Sequence, residues 1–309
     1  MNYSRHFVPQ VRPDDFLSDI DSTIKILQNQ KNLQYIQGGA VSGDLIELKI
    51  PESLVIVGDL HGDLKSLLTI MHEITFQKFL ANSNNKLIFL GDYINRGSNS
   101  IQVLRVLFYL KREYPDSVIL LCGNHEAMER YHCSAHTLPQ ELENYFGSRG
   151  IVIYDKLLSL FRLLPKVTII ENQLLLVHGG VPTSIGEARF RDAVICKSED
   201  ILEELLWNDP RSDIPNNMDW VESRRGFGKH FGKNITKKRL METGTKVIVR
   251  GHEPCFGFRI DHDDMVLTVF SNTEAYQKFD AAYVFVTKDE LLAVKNASDL
   301  AQHVQKIKK

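Results

Sequence analysis

Long apolar runs are missing from this 309-residue chain. Nowhere do eighteen apolar residues follow one another, and Met1 to Gln10, with Arg5 and His6, lacks the apolar core of a secretory leader. A cytoplasmic protein without a membrane partner is therefore expected. Cysteine is scarce too. Cys122, Cys133, Cys196 and Cys255 have neither zinc-site nor disulfide-framework spacing, so reduced thiols serving as small apolar residues are expected. Without secretion, the Asn-x-Ser/Thr triplets at Asn2, Asn234 and Asn296 carry no weight. There is no block of like charge, and the net charge of −2 gives no electrostatic reason to expect nucleic acid or an anionic membrane as partner. No Pro/Gly/Ser-rich linker and no internal repeat divides the chain. With 43% hydrophobic residues it can bury a substantial core, and one large α/β domain is the economical expectation.

Short apolar runs, by contrast, recur. Leu54 to Val57, Leu87 to Leu90, Val118 to Leu121, Val167 to Ile170, Leu174 to Val177, Val247 to Val249, Met265 to Phe270 and Tyr283 to Val286 all have strand length. Between the early runs lie helical stripes, Leu64, Leu67, Leu68, Met71 and Ile74 in one and Ile101, Leu104 and Phe108 in another. Strand, loop and helix repeated through the first half are the mark of βαβ units, whereas the last hundred or so residues are richer in strands. Two sheets with helices outside them satisfy both halves. Asp14 to Gln30, with Phe16, Leu17, Ile20, Ile24 and Leu27 on one face, reads as an amphipathic helix packed against this core.

Five of the runs end in residues that bind metals or move protons. They are followed by Gly58-Asp59-Leu60-His61-Gly62, Gly91-Asp92-Tyr93-Ile94-Asn95-Arg96-Gly97, Gly123-Asn124-His125-Glu126, His178-Gly179-Gly180 and Arg250-Gly251-His252-Glu253. In open α/β sheets ligands gather at the carboxyl ends of strands, which is where all five islands fall. Asp59 and His61, two apart, converge on one ion if Leu60 points away, and Asp92 is placed to bridge to a second. Such a site suits phosphate-ester hydrolysis, because two metals about 3.5–4 Å apart acidify a water and absorb phosphoryl charge. Carboxylate, imidazole and amide donors favour two divalent ions drawn from Mn, Fe, Zn or Co over Ca.

The ordered islands resemble the phosphoprotein phosphatase family of serine/threonine phosphatases, within the metallophosphoesterases, over roughly residues 53 to 287. The resemblance implies a βαβαβ-centred β-sandwich flanked by helices. It divides the chain into an N-terminal helical segment (1–50) packed on the core, a calcineurin-like catalytic domain (51–295) and a C-terminal tail (296–309). It also implies metal ligands Asp59, His61, Asp92, Asn124, His178 and His252. Arg96 and Arg225, with Asn124, would bind the substrate phosphate. Arg250 matches a family position too, as a phosphate ligand or a bracing residue. His125 would be the general acid. Leu205-Leu206-Trp207-Asn208-Asp209-Pro210 resembles another family segment, which leaves Asp209 either bordering the pocket or simply forming a turn.

One position departs from the pattern. The second motif of the family reads Gly-Asp-x-x-Asp-Arg-Gly, and the aspartate that holds the acid is Asn95 here. An amide contributes no charge to favour the imidazolium, so metal binding is expected to survive while acid catalysis weakens. The segments after Glu126 and from Ser271 to Asp280 also differ, with Tyr276 one place beyond the family tyrosine, so grooves for protein substrates do not transfer. The expected substrate is a phosphorylated protein or peptide. A phosphohydrolase of dinucleoside polyphosphates and a silenced phosphoprotein-binding module stand as alternatives. His6, His72, His132, His136, His230, His262 and His303 read as surface or structural histidines, and Phe256, Phe258 and Phe270 as core or sheet packing. Asn296 to Lys309 reads as a short helix or a frayed tail, with Lys306, Lys308 and Lys309 serving solubility.

Overall fold

The computed structural model describes residues 11–132, 134–186, 188–196, 198–215 and 217–307. The N-terminal Asn2, Arg5 and His6, and likewise Cys133, Lys308 and Lys309, lie outside the described residues. In chain order the strands are β1 (Tyr35–Ile36), β2 (Gly39–Ser42), β3 (Leu45–Leu48), β4 (Ser53–Val57), β5 (Lys86–Phe89), β6 (Val118–Leu120), β7 (Val167–Ile170), β8 (Leu174–Val177), β9 (Asp209–Pro210), β10 (Trp220–Glu222), β11 (Lys229–Phe231), β12 (Val247–Arg250), β13 (Phe258–Asp261), β14 (Val266–Val269), β15 (Ala282–Thr287) and β16 (Val304–Lys306). The helices used below are α1 (Pro13–Leu33), α2 (Leu64–Glu73), α3 (Phe76–Leu80), α4 (Ser100–Glu113), α5 (Leu138–Phe146), α6 (Arg149–Phe161), α7 (Phe190–Cys196), α8 (Glu199–Trp207) and α9 (Lys233–Thr243).

Two sheets carry the fold. The smaller runs β16-β15-β4-β5-β6 and the larger β1-β2-β3-β7-β8-β12-β14-β13; β10-β11-β9 form a third, short one. Period-two alternation divides each strand between two layers. Leu54 and Ile56 of β4, Ile88 and Ile119 face inward to meet Leu174, Leu176, Val247 and Val249 of the large sheet. Val55, Val57, Leu87, Phe89 and Leu120 face the other way, beneath a shell that includes α1, α2, α4, α5 and α6. Val167, Ile169, Leu175, Val177 and Ile248 do the same beneath α7, α8 and α9. Because their strands are covered on both faces, the runs appear in the sequence as continuous apolar stretches.

Helix α1 starts at Pro13, carries Asp14 and Asp15 in its first turn, and stops where Gln34 turns left-handed at φ 50°. Its apolar face packs inward, with the ring of Phe16 stacked on Phe146 at 5.5 Å. The segments expected to flank the catalytic domain, 1–50 and 296–309, also contribute strands to the two sheets. Residues after α1 form β1, β2 and β3, and β3 pairs in parallel with β7. The tail supplies β16, which pairs with β15, and Ile307 is buried. Both segments satisfy main-chain groups at sheet margins, a role that short polar strands do not advertise in sequence.

Candidate metal centre

All six expected ligands follow strands: Asp59 and His61 follow β4, Asp92 follows β5, Asn124 follows β6, His178 follows β8 and His252 follows β12. The first three strands belong to the small sheet and the last two to the large one, so the site spans the gap between sheets. An isolated parallel bridge between Asp59 and Phe270 pins the sheets together at that point. Two glycines make the crowding possible. A Cβ at Gly123 would meet Asp92 Oδ1 at 2.2 Å, and one at Gly251 would meet Asp59 Oδ1 at 2.3 Å.

The six side chains converge. His61 Nε2 lies 3.8 Å from Asp59 Oδ2 and 3.4 Å from Asp92 Oδ2. On the other side of Asp92, Oδ1 is 3.4 Å from His178 Nε2. Asn124 Oδ1 sits 2.9 Å from both His178 Nε2 and His252 Nδ1. Leu60 turns away into the core, so Asp59 and His61 face the same point. Asp92 is shared by two clusters of candidate ligands, one with His61 and His125 and the other with His178 and His252.

Hydrogen bonding shows what belongs between these atoms. His61 Nδ1 is 3.0 Å from the Ile94 carbonyl and His178 Nδ1 is 3.0 Å from the Leu90 carbonyl. A carbonyl only accepts, so each Nδ1 carries the proton and each Nε2 presents a lone pair. Those lone pairs face carboxylate and amide oxygens, which are themselves acceptors. Asp59 Oδ2, also buried, has no hydrogen-bond partner among the described residues. His61 Nε2, His178 Nε2, the two carboxylates and Asn124 Oδ1 converge as acceptors, a set that fits cations, and the carbonyl-held imidazoles are the outer support that metal-binding histidines usually have.

Electrostatics agree. Burial, then the neighbouring charge of Asp92, pushes the Asp59 carboxyl up to about 6, and burial pushes Asp92 up to about 7. Burial lowers His61 to about 3 and His178 to about 4, and takes His252 well below its ordinary value. The imidazoles are thus neutral, as ligands must be, while the carboxylates crowd without compensation. One consequence can be read spectroscopically. The Trp207 ring is buried, its centroid 5.5 Å from that of His252, whereas Trp220, the other tryptophan, is half-exposed. Adding Co or Mn to metal-stripped protein is expected to quench Trp207 emission strongly and Zn only slightly; a Trp207→Phe variant should lose the difference.

Around the ligands lie the other expected residues. Asn95 is fully buried, with Nδ2 3.0 Å from His125 Nδ1. Its Oδ1 accepts from the backbone N–H groups of Thr137 and Leu138, 2.9 Å each, at the start of α5. Turning the amide over would forfeit both bonds, so the NH₂ group faces the imidazole. Arg96 is exposed, with one nitrogen 3.2 Å from His125 Nε2 and another bonded to the Tyr276 hydroxyl. Arg225 is partly exposed and rests on Asp209 at 3.2 Å.

Arg250, left open between phosphate contact and bracing, is buried, and its nitrogens are taken by Gly179 O, Glu253, Asn208 O and Asp209, the geometry of a bracing residue. One expectation needs correction. Phe256 is not core; it is 61% exposed and lies against Phe279. Cys196 is likewise exposed, whereas Cys122 and Cys255 are buried thiols pushed up to about 12, chiefly by burial. His262 is structural, fixed between Thr236 and the Arg211 carbonyl.

Sequence reasoning assigned no role to Glu126. Its carboxylate accepts from the backbone N–H groups of Asp92, Tyr93 and Gly123 at 2.8–2.9 Å, holding the Asp92 peptide in place. Equally hidden was the backbone conformation: His61, Asp92, Asn95, Arg96 and His252 all adopt positive φ, between 43° and 69°. None is glycine, so each of the five carries backbone strain that the surrounding bonds hold in place.

A β-sandwich carrying carboxylate, imidazole and amide donors at converging strand ends has the architecture of a metallophosphoesterase. The model of the calcineurin-like phosphoesterase family matches residues 53–256. The serine/threonine-protein phosphatase 6 catalytic subunit of Caenorhabditis elegans is 30% identical over 245 residues, covering 76% of this chain and 70% of that protein. Serine/threonine-protein phosphatase PP2A-like PPG1 of Saccharomyces cerevisiae is 29% identical over 277 residues, covering 82% and 72%. Serine/threonine-protein phosphatase 5 of Arabidopsis thaliana is 29% identical, but the chain spans only 45% of its length. Among solved structures, a protein serine/threonine phosphatase from Saccharomyces cerevisiae, similar to human phosphatase PP5, has the same fold: TM-score 0.76 at 22% identity, covering 97% of this chain and 90% of that one. The chain belongs to the calcineurin-like phosphoesterase family, in its phosphoprotein phosphatase branch. Among the described residues no helix is long and apolar enough to cross a membrane.

Proposed function

We propose that this chain is a dimetal serine/threonine phosphoprotein phosphatase whose acid catalysis is weakened by Asn95. The observation that carries the reading is the convergence of acceptor atoms from Asp59, His61, Asp92, Asn124, His178 and His252 beside an exposed Arg96. Two divalent ions held there, of Mn, Fe, Zn or Co, would supply an activated water and neutralise phosphoryl charge. Asp59 and His61 would hold one, Asn124, His178 and His252 the other, and Asp92 would contact both.

The chain's own groups do the rest. Arg96 and Arg225 hold the phosphoryl oxygens through planar guanidinium forks, after Arg96, keeping its bond to Tyr276, turns its other nitrogen from His125 and Arg225 turns from Asp209. With Arg96 turned, His125 Nε2 is free to give a proton to the departing serine or threonine oxygen. Asn95 opposes that step, because a doubly protonated imidazole would direct its Nδ1–H at the NH₂ of Asn95. Glu126 keeps Asp92 oriented.

Metal analysis coupled to a phosphoserine-peptide assay tests the proposal. Two ions per chain and metal-dependent phosphate release are expected, with aryl phosphates cleaved faster than the peptide. Metal-dependent peptide binding without turnover of either substrate would replace this reading with that of a silenced binding module.

A further inference from the structure

The loop from Ser271 to Asp280, which resembles the family pattern only at its ends, is tied to the Asp59–His61 loop by the side chain of Asp63. Asp63 follows His61 and Gly62 and is fully buried. Its Oδ1 caps α2 by accepting from Ser66 N at 2.8 Å. Its Oδ2 accepts from Ser66 Oγ at 2.7 Å and reaches across to the late loop, accepting from Thr273 N at 2.7 Å, Thr273 Oγ1 at 3.0 Å and Glu274 N at 3.0 Å. Asn272 adds a bond to the Leu60 carbonyl.

From there the loop contacts the Arg96 segment twice. Glu274 accepts from both the backbone N–H and the hydroxyl of Ser98. The Tyr276 hydroxyl accepts from Arg96, whose guanidinium carbon also lies 5.5 Å from the centre of the tyrosine ring. Arg96 is exposed and sits outside any helix or strand, so an unanchored guanidinium would lose rotamer freedom on meeting phosphate. Held by Tyr276, it has already given up much of that freedom.

We propose that Asp63 is a positioning residue for substrate phosphate: it anchors the Asn272–Tyr276 loop so that Tyr276 presents Arg96 to the phosphoryl group. This rests on the reading of Arg96 as a phosphate ligand in the phosphatase proposed above. Asp63 touches neither phosphate nor metal, and its effect passes through the loop.

Asp63→Ser separates its two tasks, since serine caps a helix but is too short to reach Thr273 and Glu274. The readout is the affinity of metal-loaded full-length protein for inorganic phosphate, measured by calorimetry or as inhibition of aryl phosphate hydrolysis. Asp63→Ser is expected to weaken phosphate binding about tenfold, the scale of one lost hydrogen bond to a charged group, with two ions per chain retained. In an Arg96→Ala background the same change is expected to have no further effect, because the pathway already lacks its last member. Tyr276→Phe, which leaves the cap of α2 untouched, is expected to weaken phosphate several-fold and serves if Asp63→Ser fails to fold. Unchanged phosphate affinity in either single variant overturns the proposal, as does an equal loss with and without Arg96. A wild-type metal-loaded protein that takes no phosphate overturns both this inference and the phosphatase reading; wild-type binding with no response to Asp63→Ser overturns this inference alone.

Discussion

Replacing Asn95 by aspartate is expected to raise turnover of a phosphoserine peptide by about 10²–10⁴, the range attributed to a positioned general acid. Hydrolysis of an aryl phosphate, whose leaving group needs little protonation, should change far less. The geometry makes the exchange simple. One carboxylate oxygen can take the place of Oδ1 and accept from Thr137 N and Leu138 N, while the other replaces the NH₂ group 3.0 Å from His125. The contact then changes from one that repels Nδ1–H to one that accepts it. His125 is held well below its ordinary pKa, first by burial and then by His61 and Arg96. An adjacent carboxylate favours the imidazolium and raises that value, so peptide hydrolysis by the variant should persist to higher pH than in the natural chain. Rates measured on both substrates from pH 5 to 9 check this; equal peptide turnover by the two proteins would contradict the account.

Removing the shared carboxylate by Asp92→Asn should act in opposite directions on the metal-free and metal-loaded proteins. With ions bound, loss of the carboxylate proposed to contact both of them is expected to lower aryl phosphate turnover by about 10³ or more and to reduce the metal content. Without ions the same change relieves a cost. Asp92 in the folded chain is raised to about 7, far above its unfolded value, so between about pH 4 and 7 the folded state holds a proton that the unfolded state has released. Stability of the metal-free protein therefore falls as pH rises through that window and stays low above it. Asp92→Asn should remove much of this fall and melt higher than the natural chain at pH 7.5 after chelation. Thermal melts with and without chelator, at pH 5 and 7.5, give the comparison. A variant less stable than the natural chain when both are metal-free would sink the argument.

Which features were legible follows from whether their cause is local. Strand ends bearing Asp59, Asp92, Asn124, His178 and His252 could be found because each island is a short string after an apolar run, and a buried two-sided strand has no other appearance in sequence. Helix α1 was legible for a similar reason, its stripe repeating at helical spacing. Strands β1 to β3 and β16 were not, because they are short and take their stability from pairing with β7 and β15, partners far along the chain. The task of Glu126 depends on bringing the Asp92 peptide across from a neighbouring strand. Arg250 was ambiguous because an arginine string is the same whether its guanidinium faces phosphate or carbonyls; only the buried contacts to Gly179, Asn208, Asp209 and Glu253 separate the two.

Asp59 Oδ1 accepts from the main-chain N–H of His252, a bond that joins residues 193 positions apart. During synthesis Asp59, His61 and Asp92 leave the ribosome early, whereas His178 and His252 appear only once most of the chain has been made. A nascent or truncated polypeptide ending before His252 can therefore offer an incomplete cage at most. In the proposed dimetal enzyme, capture of the second cation would then be a late checkpoint, passed only by a chain whose two sheets have already docked.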